Sequence, residues 1–192
     1  MLFLVSDIFG RTPALEAIGR QLSENVPDIG IIDPYQGVDL QFETETHAYK
    51  HFMDRVGLKN YQSILTDYLT PSAPDRVLIG FSVGASAIWG ISGRPPFRHI
   101  KKAFCFYGSQ IRNETGIHPL SDMEFIFPKQ ESHFDVDDLI GRLSAKSRVT
   151  CTKADGLHGF MNELSSYFDP VCYDKYIRYL KTSLKLQELS AS

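Results

Sequence analysis

The sequence predicts an α/β fold, with one parallel β-sheet covered by helices on both faces. Three observations carry that expectation. Short apolar runs such as Leu2-Phe3-Leu4-Val5 and Ile29-Gly30-Ile31-Ile32 read as strands buried on both sides. Longer segments between them repeat apolar residues at three- and four-residue spacing. Strand and helix alternate along the chain, as they do when crossover helices join parallel strands.

Taken in order, Leu2–Val5 is the first strand. The helix Pro13–Leu22 follows, with Thr12 as N-cap and Pro13 at its first position, where an N–H would have no helical partner. Ile29–Ile32 is the second strand, and Asp33-Pro34-Tyr35-Gln36-Gly37 is a turn. Two helices come next. Glu45–Val56 places His47, Tyr49, Phe52, Met53 and Val56 at helical spacing, and Lys59–Leu69 does so with Tyr61, Ile64, Leu65, Tyr68 and Leu69. Pro71-Ser72-Ala73-Pro74 ends that region. Val77-Leu78-Ile79 lies in the third strand, followed by a helix pattern of small residues up to Trp89 and by the loop Gly93-Arg94-Pro95-Pro96. Lys102–Phe106, Met123–Phe127 and Arg148–Thr152 are the remaining strands, six in all, with a short helix Val136–Leu143 before the last. Asp155–Phe160 is a loop, and Asp169–Leu186 is an amphipathic helix rich in tyrosine. Ile111–Ser121 and Met161–Phe168 are the segments whose pattern is least decided.

A length of 192 residues suggests a single domain, 1–192. With a formal net charge of −3 and no basic cluster beyond Lys101-Lys102, nucleic-acid binding has no electrostatic support. No apolar run approaches the ~18 residues of a membrane span. The N-terminus lacks a positively charged leader, so no membrane partner is expected and cytoplasm is the expected compartment. Cys105, Cys151 and Cys172 are odd in number and unpatterned, which suits a reducing compartment, and no Cys/His spacing resembles a zinc site. Neither a Gly-x-Gly-x-x-Gly run nor a Gly-Lys-Ser/Thr loop is present to cradle a nucleotide.

The stretch that carries chemistry is Gly80-Phe81-Ser82-Val83-Gly84. Preceded by a strand and followed by a helix, it has the context of a nucleophile elbow. A serine at so tight a turn takes a strained backbone, and side chains at positions 80 and 84 are expected to collide across it. The turn would lift the Ser82 hydroxyl above the sheet and aim the Val83 N–H at a developing oxyanion. A serine hydroxyl needs a general base, and that base an orienting acid. His158 follows the last strand, at the sheet edge where open α/β folds place their sites. His47 and His51 precede the serine in a helical stretch, and His99 sits at the wrong end of a strand. His118 and His133 lie in loops expected at the right edge and are possible substrate contacts. The acid should follow Met123–Phe127, which puts Glu131 first, Asp135 second and Asp155 a distant third. Asp135 reads better as the N-cap of the next helix. A second oxyanion donor is expected from Ile8 or Phe9 after the first strand. Arg11 beside them either meets a substrate carboxylate or is a solvated helix-start residue. Tyr35 and Tyr107, in turns after strands, complete the expected substrate contacts.

Four segments resemble the dienelactone hydrolase family of the α/β-hydrolase superfamily: Asp7-Ile8-Phe9-Gly10, the elbow itself, Phe106-Tyr107-Gly108 and His158-Gly159-Phe160. The resemblance implies an α/β-hydrolase-like three-layer sandwich with strand order 2-1-3-4-5-6 and no lid domain. It implies a Ser82–acid–His158 triad working without metal or organic cofactor. The family's namesakes use cysteine where this chain has Ser82, and usually aspartate where Glu131 is best placed. The chain starts at what would be the third strand of the superfamily sheet. A small serine hydrolase acting on a small-molecule ester, lactone or thioester is therefore expected. The alternatives are an inactive binding protein on the same fold, or an acyltransferase using the same triad.

Overall fold

Six strands form one sheet in a computed structural model that describes residues 1–69 and 76–189. They are β1 (Leu2–Val5), β2 (Ile29–Ile32), β3 (Arg76–Phe81), β4 (Ile100–Phe106), β5 (Asp122–Phe127) and β6 (Val149–Lys153). Every pairing is parallel, and the order is β2-β1-β3-β4-β5-β6. The helices are α1 (Pro13–Leu22), α2 (Glu45–Arg55), α3 (Gly57–Leu69), α4 (Val83–Ile91), α5 (Val136–Ser144) and α6 (Pro170–Leu189). The Pro71-Ser72-Ala73-Pro74 break lies outside the described residues.

Side-chain alternation along the strands builds a core on each face. Leu2, Leu4, Val77, Ile79, Phe81, Phe104 and Phe106 pack beneath α1 and α6. Phe3, Val5, Leu78, Ala103, Cys105, Phe125 and Phe127 pack beneath α2 to α5. All six residues of β3 are buried. Full burial of a Leu, Ile or Phe side chain contributes about 1.5–3 kcal/mol, so the strand that presents Ser82 is anchored from both sides.

Element ends follow local chemistry. Thr12 Oγ1 accepts the Leu15 N–H of α1. Asp135 Oδ1 accepts the N–H groups of Asp137 and Asp138 at 2.8 and 3.1 Å, capping α5 as expected. α3 starts at Gly57, earlier than the apolar spacing predicts, because Gly57 takes a φ of 70° and restarts the helix directly. β6 starts one residue late because Arg148, with φ at 66°, belongs to the turn before it. The expected loop at Pro95-Pro96 is a 3₁₀ turn, Pro95–His99.

The two elbow glycines are required by close approach, in a different way from the sequence expectation. A Cβ at Gly80 would lie 2.9 Å from the Ala85 backbone, across the turn. A Cβ at Gly84 would instead strike the neighbouring strand, at the Ser6 carbonyl and 2.5 Å from that of Val5. Gly84 thus seats the start of α4 against the end of β1. No helix among the described residues is long and apolar enough to cross a membrane.

Candidate active site

Ser82 sits between the end of β3 and the start of α4 with φ 51° and ψ −112°. Positive φ is costly for a residue with a Cβ, and here the neighbours impose it. The Ser82 N–H donates to the Phe106 carbonyl at 2.9 Å, and its carbonyl accepts the N–H and Oγ–H of Ser86, both at 3.0 Å. With both backbone groups held, the side chain projects from the C-terminal edge of the sheet. Its Oγ lies 3.0 Å from His158 Nε2. On the other side of the ring, Nδ1 lies 2.7 Å from Glu131 Oε1.

Two loops deliver those partners. His158 follows β6 and Glu131 follows β5. The loops are tied together where Lys129 N–H donates to the Gly156 carbonyl at 2.8 Å and Ala154 N–H to that of Phe127, also at 2.8 Å. Glu131 is well covered, its side chain only 9% exposed, so its carboxylate faces the imidazole with little competing water. Asp135 is occupied as the α5 cap, and Asp155 is an exposed partner of Lys175.

The loop after β1 faces Ser82 from the other side. Asp7 Oδ1 accepts the Phe9 N–H at 2.9 Å, and its Oδ2 accepts Asn162 Nδ2–H at 2.7 Å. Of the two expected donors, Phe9 N–H is therefore already engaged, and Ile8 lines the cavity together with Val83 at the start of α4. Phe9 is part of the cavity lining. Tyr35 does not. It is buried and donates its hydroxyl to the Ile8 carbonyl at 2.7 Å, bracing this loop from below.

A cavity of about 360 Å³ opens over Ser82 and His158, and Tyr107 forms part of its wall, with its ring centroid 5.1 Å from that of His158. Two other expected substrate contacts are elsewhere. Arg11 is outside the cavity lining, and its Nε pairs with Glu16 Oε1 at 2.9 Å, so it is the solvated helix-start residue of the two readings. His118 is exposed, with its carbonyl against Gly93, just past the C-terminal end of α4. Because α4 runs back from the site, that is the opposite edge of the sheet from Ser82.

Sequence reading missed Glu45 and Tyr49 in the cavity wall, although their four-residue spacing places them on one face of α2. It also missed Tyr167 and Ser165, which come from the undecided Met161–Phe168 segment and carried no periodic signal.

Asp7 carries a testable charge. Burial pushes its carboxyl pKa up, against the pull of Asn162, the Phe9 N–H and nearby His158. Above an unfolded value of about 3.9 the unfolded chain gives up this proton before the folded chain does. The stability of the wild type relative to Asp7→Asn is therefore expected to fall as pH rises from about 4 toward neutrality. Urea unfolding of both proteins across that range reads it directly. A difference that stays flat or grows with pH would contradict the account.

No protein-family model matches the chain. Uncharacterized protein YczH of Bacillus subtilis (strain 168) is 29% identical over all of this chain and 96% of its own length. Three solved structures with the same fold are far more distant in sequence. A dienelactone hydrolase-like promiscuous phosphotriesterase, P91, from metagenomic libraries superposes with a TM-score of 0.68 at 13% identity, covering 95% of this chain and 84% of its own. Mouse alpha/beta hydrolase domain-containing protein 10 also gives 0.68, at 7% identity over 97% and 89%. Est1E from Butyrivibrio proteoclasticus gives 0.57 at 9% identity over 98% and 86%. The chain has the α/β-hydrolase fold.

Proposed function

We propose that this chain is a small serine hydrolase that cleaves carboxylic ester, lactone or thioester bonds. The observation that carries the reading is the continuous contact from Ser82 Oγ to His158 Nε2 at 3.0 Å and from His158 Nδ1 to Glu131 Oε1 at 2.7 Å. Spacings of that size let a proton move from hydroxyl to imidazole as the oxygen attacks. Ser82 Oγ attacks the acyl carbonyl while His158 takes its proton. Glu131 holds the ring in the tautomer with a proton on Nδ1 and stabilises the imidazolium. The N–H groups of Val83 and Ile8 take the oxyanion, each typically contributing about 3 kcal/mol to the transition state. His158 then returns the proton to the leaving group, and water, deprotonated by the same imidazole, releases the acid. Ser82 is regenerated, and no residue is consumed.

A panel of short-chain esters, lactones and acyl thioesters, with Ser82→Ala as control, tests the reading. Turnover of at least one class that vanishes in Ser82→Ala is the expected result. Equal turnover by the two proteins, or none by either, would sink it.

A further inference from the structure

The walls around Ser82 are charged in one sense only. Asp7 and Glu45 both line the cavity, and among the described residues no lysine or arginine does. Glu45 is the first residue of α2. Its Oε2 accepts Ser166 Oγ–H at 3.3 Å, and its Oε1 lies beside Gly159, the residue after His158. A second cavity of about 370 Å³ adjoins the first through Ser109, His158 and Tyr167, and among the described residues Glu131 is its one charged side chain outside histidine. Arg112 is not part of either lining. It donates to the Ser109 carbonyl and lies over the Phe134 ring at 5.2 Å. The mouth is aromatic, formed in part by Tyr49 and Tyr167, 47% and 54% exposed. The negative field reaches inward. Burial pushes the Tyr107 hydroxyl well up, and the charges of Asp7 and Glu45 push it further.

We propose that this cavity selects its ligand by charge, seating a cationic group beside Glu45 against Tyr49 and Tyr167 and rejecting anionic ones. As a statement about substrates this rests on the hydrolase reading of Ser82; as a statement about binding it does not. The physical reasons are direct. A partly desolvated carboxylate attracts an ammonium and repels a carboxylate far more strongly than water would allow. Tyrosine rings hold the methyl groups and the charge of an alkylammonium together. An acyl substrate bearing an amine or quaternary ammonium fits these walls, whereas one bearing a free carboxylate or phosphate meets no lysine or arginine among the described residues of the lining.

Titration of the full-length wild type with benzyltrimethylammonium, benzyl methyl ether and phenylacetate, followed by NMR, tests this without turnover. The ammonium is expected to bind about tenfold tighter than the ether, and phenylacetate about tenfold weaker. Glu45→Gln should narrow the spread severalfold, and Glu45→Lys should place phenylacetate ahead of the ammonium. Phenylacetate binding as tightly as the ether, no binding by any of the three, or an order unchanged in both Glu45 variants would overturn the proposal. Fluorophosphonate labelling of Ser82 reports separately on the hydrolase reading. An unreactive serine with the charge order intact would fell that reading and leave this one standing.

Discussion

Ser82→Ala is expected to lower kcat by roughly a millionfold, His158→Ala by a similar factor, and the double variant by scarcely more. The non-additivity follows from the geometry. Oγ and Nε2 lie 3.0 Å apart, and in the proposed mechanism they share one proton in one step, so once either is removed the other has nothing left to do. What remains is catalysis by bound geometry and the backbone donors at Val83 and Ile8. Folding should be little disturbed. Ser82 makes its structural hydrogen bonds through its backbone, to Phe106 and Ser86, and alanine retains that backbone. Losses that multiply in the double variant would mean that the two residues act in different steps.

Glu131 and Asp135 make separable demands. Glu131→Gln is expected to cut kcat by about 10⁴-fold with little loss of stability. Glutamine keeps the shape but can offer Nε2–H to the ring, which favours the tautomer whose proton sits on the nitrogen facing Ser82. Asp135→Ala is expected to cost about 1 kcal/mol of stability, because the Asp137 and Asp138 N–H groups lose their acceptor, and to leave kcat nearly intact. The covered position of Glu131, 9% exposed, explains why so long an acidic side chain can be held in one place. Kinetics that came out the other way round, with Asp135→Ala dead and Glu131→Gln active, would transfer the role to Asp135.

The parts legible in the sequence were those governed by local rules. Apolar runs bounded by turns placed the strands to within two residues at each end, most plainly for β1 and β3, whose residues are all buried. Thr12 and Asp135 were readable as caps because a cap acts over three residues. The strand order needed the family resemblance, since nothing local tells β3 to dock beside β1. The walls of the cavity were least legible. Tyr35 and His118 were assigned by proximity to strand ends. Yet Tyr35 turns beneath the loop to reach the Ile8 carbonyl, and the long loop after β4 carries His118 to the far edge. Glu45 and Tyr49 line the same cavity as Ser82, a long-range outcome that spacing along α2 does not encode. The contact of Gly84 with the Val5 and Ser6 carbonyls is of the same kind. The motif announced the glycine, but the partner it makes room for lies far away in sequence.

The central claim is that Ser82 is a nucleophile activated by His158. Intact-mass analysis after brief exposure to a fluorophosphonate tests it without knowledge of the substrate. One adduct is expected on the wild type, mapped to Ser82 by peptide sequencing, none on Ser82→Ala, and labelling slowed by orders of magnitude in His158→Ala. A folded wild type that takes up no adduct, or that labels equally fast in His158→Ala, would contradict it.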